Sequence, residues 1–146
     1  MSKKPIIVFE GIECSGKSLH SNNVSKYLKK KGIKFIKIRE PGGNKNSEKI
    51  RKLILNNKSN FNKITDLLLY LAARNENIEN TIKQNIGKKI ILIDRFIDST
   101  VAYQHFGMNI DIKFINMVNQ FLIKKIKVNF TFLHLVSEKN IQLRLS

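Results

Sequence analysis

Hydrophobic positions along the chain follow two spacings, and these alternate from one end of the chain to the other. Short continuous apolar runs are typical of buried strands, and they predict four strands, over residues 6–10, 33–38, 90–94 and 128–136. Apolar residues three or four positions apart predict helices over residues 19–31, about 47–56, 65–85, 99–103 and beyond, and 111–125. Strands that alternate with helices predict an α/β fold in which helices cover both faces of a parallel sheet.

The length of the chain indicates a single domain. The 146 residues, 1–146, suffice for a buried core but are few for a complete doubly wound enzyme. No apolar stretch is long enough to span a membrane, and no signal-peptide core follows the first residues, so neither membrane insertion nor export is predicted. A lone cysteine, Cys14, cannot form an internal disulfide and fits a reducing, cytoplasmic location.

The chain is strongly basic, with a formal net charge of +16. Such a charge can attract nucleic acid, because cationic side chains displace counterions from phosphates. Here the lysines are scattered, and clusters such as residues 29–31 and 88–89 lie beside predicted helix ends or turns, where cations suit the helix dipole. We therefore interpret them as solvated surface and predict no specific nucleic-acid partner, although their field would attract small phosphate-bearing molecules.

The first predicted strand leads into a glycine-rich turn with the pattern Gly11-x-x-x-x-Gly16-Lys17-Ser18. This is the P-loop pattern, and it lies where such loops occur, between a buried strand and an amphipathic helix. Glycines let successive backbone N–H groups point at phosphate oxygens, while Lys17 adds a mobile charge and Ser18 a hydroxyl that suits Mg²⁺. The pattern predicts a nucleotide site, and the alternative is a plain glycine-rich turn.

Arginine is scarce, since the 27 basic residues include only five arginines. A chain that uses lysine almost everywhere is expected to keep arginine where a planar, forked cation is needed. Arg39 and Arg95 follow predicted strands, and Arg74 closes an apolar helical stretch. Each alone could form a structural ion pair. Together, near Gly11 and Asp94 at the carboxyl ends of strands, they predict a second anion site, because ligands of parallel sheets bind at that edge.

Five segments, in one order along nearly the whole chain, match a known family. They are FEGIECSGKS at 9–18, REPGG at 39–43, EKIR at 48–51, LLLYLAAR at 67–74 and DRFIDSTVAYQ at 94–104. In these segments the chain resembles the bacterial thymidylate kinases, P-loop enzymes that phosphorylate dTMP with ATP. The resemblance implies the three-layer P-loop NTPase fold, and its second and fifth segments are more diagnostic than the P-loop itself.

The resemblance implies which residues hold ATP and Mg²⁺. The ATP phosphates are expected at Gly11, Ile12, Glu13, Cys14, Ser15, Gly16, Lys17 and Ser18. Mg²⁺ is expected at Ser18 and Asp94, with Asp94 acting through water. The implied catalytic residues are Lys17, Arg95, Glu13 and Asp94, because phosphoryl transfer depends on positioning and charge stabilisation and needs no covalent intermediate.

The resemblance also implies a dTMP site. Arg39 and Arg95 are expected to clamp the dTMP phosphate from two sides. Tyr70 is expected to stack on thymine, Arg74 to contact the edge of the base, and Thr100 to hydrogen-bond to the base. Tyr103 and Gln104 are expected to occupy the space that a ribose hydroxyl would need, and Glu13 to contact the 3′ hydroxyl. A homodimer built through helices that flank the sheet is implied as well.

The sequence departs from the family pattern at several points. Leu19 replaces a second hydroxyl residue at the P-loop, residues 105–109 lack the usual arginine, and residues 128–137 lack the usual aspartate. The chain also ends at Ser146, before the family's lid over ATP, its last strand and its closing helices. We therefore expect a retained dTMP site, weakened or absent catalysis, and an uncovered flank of the sheet.

Two other functions are considered. A different (deoxy)nucleoside monophosphate kinase would share the P-loop and the Asp94-Arg95 pair, but it should lack the segment 39–43 and the Tyr70/Arg74 pair in this form. A non-catalytic nucleotide-binding or nucleic-acid-binding remnant would show salt-dependent binding to random DNA without any nucleotide preference.

Overall fold

Four parallel strands and seven α-helices alternate in the computed structural model, which describes residues 4–124 and 126–145. The strands are β1 (Ile6–Glu10), β2 (Phe35–Arg39), β3 (Ile90–Asp94) and β4 (Phe130–Leu133). The helices are α1 (Lys17–Lys30), α2 (Lys45–Ile54), α3 (Lys63–Asn77), α4 (Lys83–Asn85), α5 (Ile97–Thr100), α6 (Ile112–Ile123) and α7 (Glu138–Leu145). Two π-helical segments, Ile78–Ile82 and Val101–Gly107, continue α3 and α5.

The sheet has the order β2-β3-β1-β4, and every neighbouring pair is parallel. The register of β1 and β3 places Phe9 opposite Asp94, so both strands end at the same level. The turn after β1 and the segment after β3 therefore lie side by side at the carboxyl edge of the sheet. This arrangement confirms the predicted parallel α/β sheet.

The two central strands, β1 and β3, are apolar up to their last residues, Glu10 and Asp94, because helices cover both of their faces. Val8 is 1% exposed, and Ile91, Leu92 and Ile93 of β3 are fully buried. Strand β4 differs, since all four of its residues are exposed. The core thus centres on β1 and β3, which carry the candidate site at their ends.

Several boundaries differ from the sequence-based prediction. Strand β2 begins at Phe35 and not at Ile33, because the amide of Ile33 donates to the carbonyl oxygen of Leu28 and closes the end of α1. The single helix predicted over residues 65–85 is instead α3, a π-helical segment and α4. The predicted end of a helix at Lys125 lies outside the described residues.

Strand β4 is also shorter than predicted, and α7 was not predicted. The amide of Ile6 donates to the side-chain oxygen of Asn129, and the amide of Asn129 donates to Ile6. The pairing with β1 therefore begins through a side chain, and regular strand structure starts only at Phe130. Within the described residues, no helix has both the length and the apolar character needed to cross a membrane.

Candidate active site

The turn after β1 has a backbone that only glycine can form at its first position. Gly11 has φ +139°, and a Cβ atom there would lie 2.6 Å from the carbonyl oxygen of His134 and 2.9 Å from the hydroxyl of Ser15. Gly16, with φ +92°, precedes the first residue of α1. The loop therefore passes close to His134, which follows β4, and the N-terminus of α1 faces the carboxyl edge of the sheet.

Lys17 folds back over this loop. Its Nζ donates to the carbonyl oxygen of Ile12 at 2.6 Å, and the residue is 7% exposed. Burial, together with the charge of Arg95, lowers the pKa of Lys17, against the opposing influence of neighbouring carboxylates. Ser15 contributes a buried hydroxyl without a hydrogen-bond partner among the described residues. A glycine cradle, an unpaired hydroxyl and a helix N-terminus beside a lysine fit a chain of phosphates.

Ser18 and Asp94 supply oxygen atoms at the edge of the same loop. The Ser18 hydroxyl lies 3.4 Å from Oδ2 of Asp94, although the two residues come from α1 and β3. A hydroxyl and a carboxylate beside a phosphate site fit Mg²⁺, which takes oxygen ligands and keeps several waters. No cluster of three His, Cys, Asp or Glu side chains able to hold a metal occurs within the described residues.

Glu13 links the P-loop to the residues after β3. Its carboxylate accepts from Nη2 of Arg95 at 2.6 Å and from the hydroxyl of Tyr103 at 2.8 Å. Partial burial acts to raise the pKa of Glu13, but the Tyr103 hydrogen bond and the charges of Arg95 and Lys17 outweigh it and lower that pKa. Burial and the bond to Glu13 raise the pKa of Tyr103. This group thus pairs an anionic carboxylate with a neutral phenol.

Arg95 is held in an uncommon backbone conformation. It has φ +67°, and its amide donates to the carbonyl oxygen of Phe9. The buried carboxylate of Glu10 accepts from the amide of Phe96 at 2.7 Å and from the hydroxyl of Ser99 at 2.6 Å, which fixes the start of α5. Glu10 was not predicted as a site residue, because its one signal in the sequence was a carboxylate at the end of an apolar strand.

Arg74 lies at the centre of a buried hydrogen-bond network. Its Nε donates to Oε2 of Glu40 at 2.7 Å, and its Nη2 donates to the carbonyl oxygen of Phe96 and to the hydroxyl of Thr100. Its Nη1 donates to Oδ1 of Asn119 at 2.6 Å. The Arg74 and Glu40 side chains are 3% and 5% exposed, and burial raises the pKa of Glu40 while Arg74 opposes that rise. Glu40 and Asn119 were not identified as site residues from the sequence.

A pocket at the carboxyl edge brings most of the predicted substrate residues together. Its lining includes Glu13, Tyr70, Arg74, Arg95, Thr100, Tyr103 and Gln104. Tyr70 and Arg74 lie one turn apart on α3, as their spacing predicts. Burial raises the pKa of Tyr70, so its ring enters the pocket with a neutral hydroxyl.

Arg39 does not line this pocket. Its guanidinium pairs with Glu48 at 3.2 Å and borders a neighbouring surface that includes Ser18 and Asp94. Arg51 lines the pocket instead and donates to the carbonyl oxygen of Pro41 at 2.7 Å. The reason is local, because Glu48 in the first turn of α2 holds Arg39 at the exposed end of β2.

The same Glu48 side chain fixes the loop between β2 and α2. The amide of Gly43 donates to Oε1 of Glu48 at 2.9 Å, and this bond and Arg39 lower the pKa of Glu48. A Cβ atom at Gly42, which has φ +116°, would lie 2.5 Å from that carboxylate. The scarcity of arginine and the match at residues 48–51 were the signals that could have identified Arg51.

Comparison with known proteins gives one family. The model of the family described as thymidylate kinase matches residues 9–146. A thymidylate kinase of Thermosipho africanus is 44% identical over 127 residues, covering 86% of this chain and 63% of the relative. One of Mycoplasma capricolum is 39% identical over 144 residues, covering 94% of this chain and 68% of the relative.

A solved structure gives the same result for the fold. The crystal structure of thymidylate kinase from Ehrlichia chaffeensis matches with a TM-score of 0.85 and 35% identity, covering 97% of this chain and 78% of that chain. The thymidylate kinase of a Sulfurihydrogenibium species is 43% identical, and 63% of its length is covered. The chain thus spans somewhat under two thirds of the length of the first of these curated relatives.

Proposed function

We propose, from the premise that this chain belongs to the thymidylate kinase family, that it binds ATP and dTMP and transfers the terminal phosphoryl group of ATP to dTMP. The observation that carries this proposal is the contact between the two parts of the site. Arg95 contacts Glu13 of the P-loop and also lines the pocket that holds Tyr70 and Arg74. A phosphate at Arg95 would therefore face phosphates held by Lys17.

The donor half of the reaction is assigned to the P-loop. The backbone of residues 11–16, Lys17 and Ser18 would hold the ATP phosphates, and Lys17 would follow negative charge onto the transferred group. Mg²⁺, held by Ser18 and by Asp94 through water, would neutralise charge on the ATP phosphates when bound. The lowered pKa of Lys17 supports this role, because phosphate oxygens would restore the charge that burial disfavours.

The acceptor half is assigned to the pocket after β3. A dTMP phosphate oxygen would attack the terminal phosphorus of ATP in line, while the bond from that phosphorus to the oxygen of the leaving ADP breaks. Arg95 would hold the attacking phosphate, and Arg51, which lies on the same pocket wall, takes the second position of the clamp that was predicted for Arg39. Arg39 lies beside Ser18 and Asp94 and would be nearer the donor phosphates.

The remaining pocket residues are assigned to the nucleoside. Tyr70 would stack on the base, Thr100 and Arg74 would contact its edge, and Gln104 with Tyr103 would close the pocket beside the sugar. Gln104 is 2% exposed, and its Nε2 lies 3.5 Å from Asp66, so it has little room to move away from a ribose hydroxyl. Glu13, held by Tyr103, would accept from the 3′ hydroxyl.

Calorimetry with single nucleotides, together with an assay for ADP release, tests this proposal. We expect the chain to bind dTMP at least about tenfold more tightly than dCMP, dGMP or UMP, as is usual when buried polar groups pair only with the correct ligand. ADP release from ATP should depend on added dTMP. Equal affinity for the four nucleotides, or competition by random DNA with no nucleotide preference, would contradict the proposal.

We further propose a cytoplasmic homodimer. Leu68 on α3 and Met117 and Phe121 on α6 are 49%, 59% and 64% exposed, on helices that pack against each other. Exposed apolar side chains on neighbouring helices are typical of association surfaces. Light scattering after size exclusion would measure the mass, and a monomer across a wide concentration range would contradict the dimer.

A further inference from the structure

The guanidinium of Arg74 has almost no hydrogen-bonding capacity left for a ligand. An arginine side chain carries five N–H donors. Four of them are used, by Glu40, Asn119, Phe96 and Thr100. Only one N–H, on Nη1, has no partner among the described residues. Whatever Arg74 offers to a base is therefore decided by how Nη1 is held.

Asn119 holds Nη1. It lies on α6, is 4% exposed, and does not line the pocket that contains Arg74. Its Oδ1 accepts from Nη1 at 2.6 Å, in a fully buried contact between residues 45 positions apart in the chain. Because Asn119 reaches the site only through Arg74, it can affect a ligand by orienting that guanidinium and by no direct contact.

The network also determines what Thr100 can offer. Its hydroxyl oxygen accepts from Nη2 of Arg74 at 2.8 Å, and its own proton has no acceptor among the described residues, so the hydroxyl can donate to a ligand. Thr100 and Arg74 both line the pocket. They therefore present two donors, the Thr100 hydroxyl and the remaining N–H of Arg74. Two donors favour a carbonyl oxygen of a base and disfavour an amino group at the same position.

We propose that Asn119 is a positioning residue for base recognition, which holds Arg74 so that this site prefers a pyrimidine with a carbonyl at position 4 over one with an amino group. The inference rests on the proposed function, since it assumes that a nucleotide base lies against Arg74. Glu40 neutralises the guanidinium, whereas Asn119 adds a neutral acceptor that fixes direction. Replacement of Asn119 therefore keeps both partners of the buried ion pair and removes the neutral acceptor that orients Nη1.

Calorimetry with dTMP and dCMP on three single variants provides the test. Asn119→Ala removes the acceptor, Asn119→Asp keeps an acceptor oxygen, and Asn116→Ala is the matched control, because Asn116 is an exposed asparagine on the same helix. We expect Asn119→Ala to weaken dTMP binding about tenfold, as for one lost buried hydrogen bond, and to lower the preference for dTMP over dCMP. Asn119→Asp should retain affinity within about threefold, and Asn116→Ala should match the unaltered chain.

A double-mutant cycle separates orientation from general packing. In an Arg74→Ala background, Asn119→Ala should cause no further loss of dTMP affinity, because its effect passes through Arg74. If both backgrounds lose the same factor, or if Asn119→Ala leaves the dTMP to dCMP ratio unchanged, the positioning role is wrong while the proposed function stands. If the unaltered chain shows no preference for dTMP, the proposed function fails and the inference fails with it.

Discussion

The P-loop and the pocket proposed to hold the base, here called the base pocket and lined by Tyr70, Arg74 and Thr100, occupy the same edge of the sheet but are built in different ways. The P-loop is contiguous, and its lysine closes onto a carbonyl oxygen five residues earlier in the chain. In the base pocket Arg74 is held by hydrogen bonds to Glu40, Phe96, Thr100 and Asn119, which belong to separate parts of the chain. The comparison indicates that the P-loop can lose a side chain with little effect on folding, whereas the base pocket is part of the core.

The largest expected effect comes from Arg74→Ala. This change leaves the Glu40 carboxylate buried and unpaired, so we expect unfolding to become about 3–5 kcal/mol easier. It should also remove base contact. Chemical denaturation measures the free energy of unfolding, and calorimetry on the folded fraction measures the affinity for dTMP. Full stability in the variant would show that the base pocket is not part of the core.

Lys17→Ala should lower activity but leave stability nearly unchanged. We expect turnover to fall about 10²- to 10³-fold, as for the loss of one donor to developing charge, while dTMP affinity stays within about twofold. Stability should change little, because within the described residues Lys17 donates a single side-chain hydrogen bond, to Ile12, and its burial already disfavours the charge. ADP release and denaturation measured on one preparation give both values. A strongly destabilised variant would contradict the view that the P-loop can lose this side chain with little effect on folding.

Arg51→Ala and Arg39→Ala should differ in their effect on dTMP binding. Arg51 lines the pocket, so its removal should weaken dTMP binding about tenfold. Arg39 forms an exposed ion pair with Glu48, so its removal should change dTMP affinity by less than about twofold. Calorimetry with dTMP compares them directly. A larger loss for Arg39→Ala would restore the clamp predicted from the sequence.

The smallest expected effect is a pH dependence of ATP binding. Only protonated Lys17 attracts phosphates, and its pKa in the folded chain is lowered by burial and by Arg95. As pH rises through that lowered pKa, ATP affinity should fall, and the fall should begin at a lower pH than an ordinary lysine would give. In Lys17→Arg the alkaline fall should be absent, because a guanidinium does not titrate in this range. An identical fall in both proteins would assign the effect to another group.

The two regions also differ in how much of their structure the sequence could predict. The parallel sheet and the P-loop were predictable because a strand, a loop and a helix that follow one another leave a local pattern of residues. Arg74 and Thr100 were placed through the family resemblance. Glu40 and Asn119 were missed, since a partner that acts across the core carries no local signal. The sequence did not indicate that Arg51 lines the pocket and that Arg39 pairs with Glu48 outside it, because both depend on the orientation of α2. The role predicted for Arg39 stays a prediction.

Glu10 connects the P-loop to the segment that follows β3. Its strand ends in the phosphate loop, and its carboxylate anchors the helix that follows Arg95. In the proposed reaction, the separation of the donor and acceptor phosphates would therefore be set by the spacing of two adjacent strands. Substitutions among the residues assigned to the nucleoside would then alter which ligand binds, while the reacting groups keep their separation.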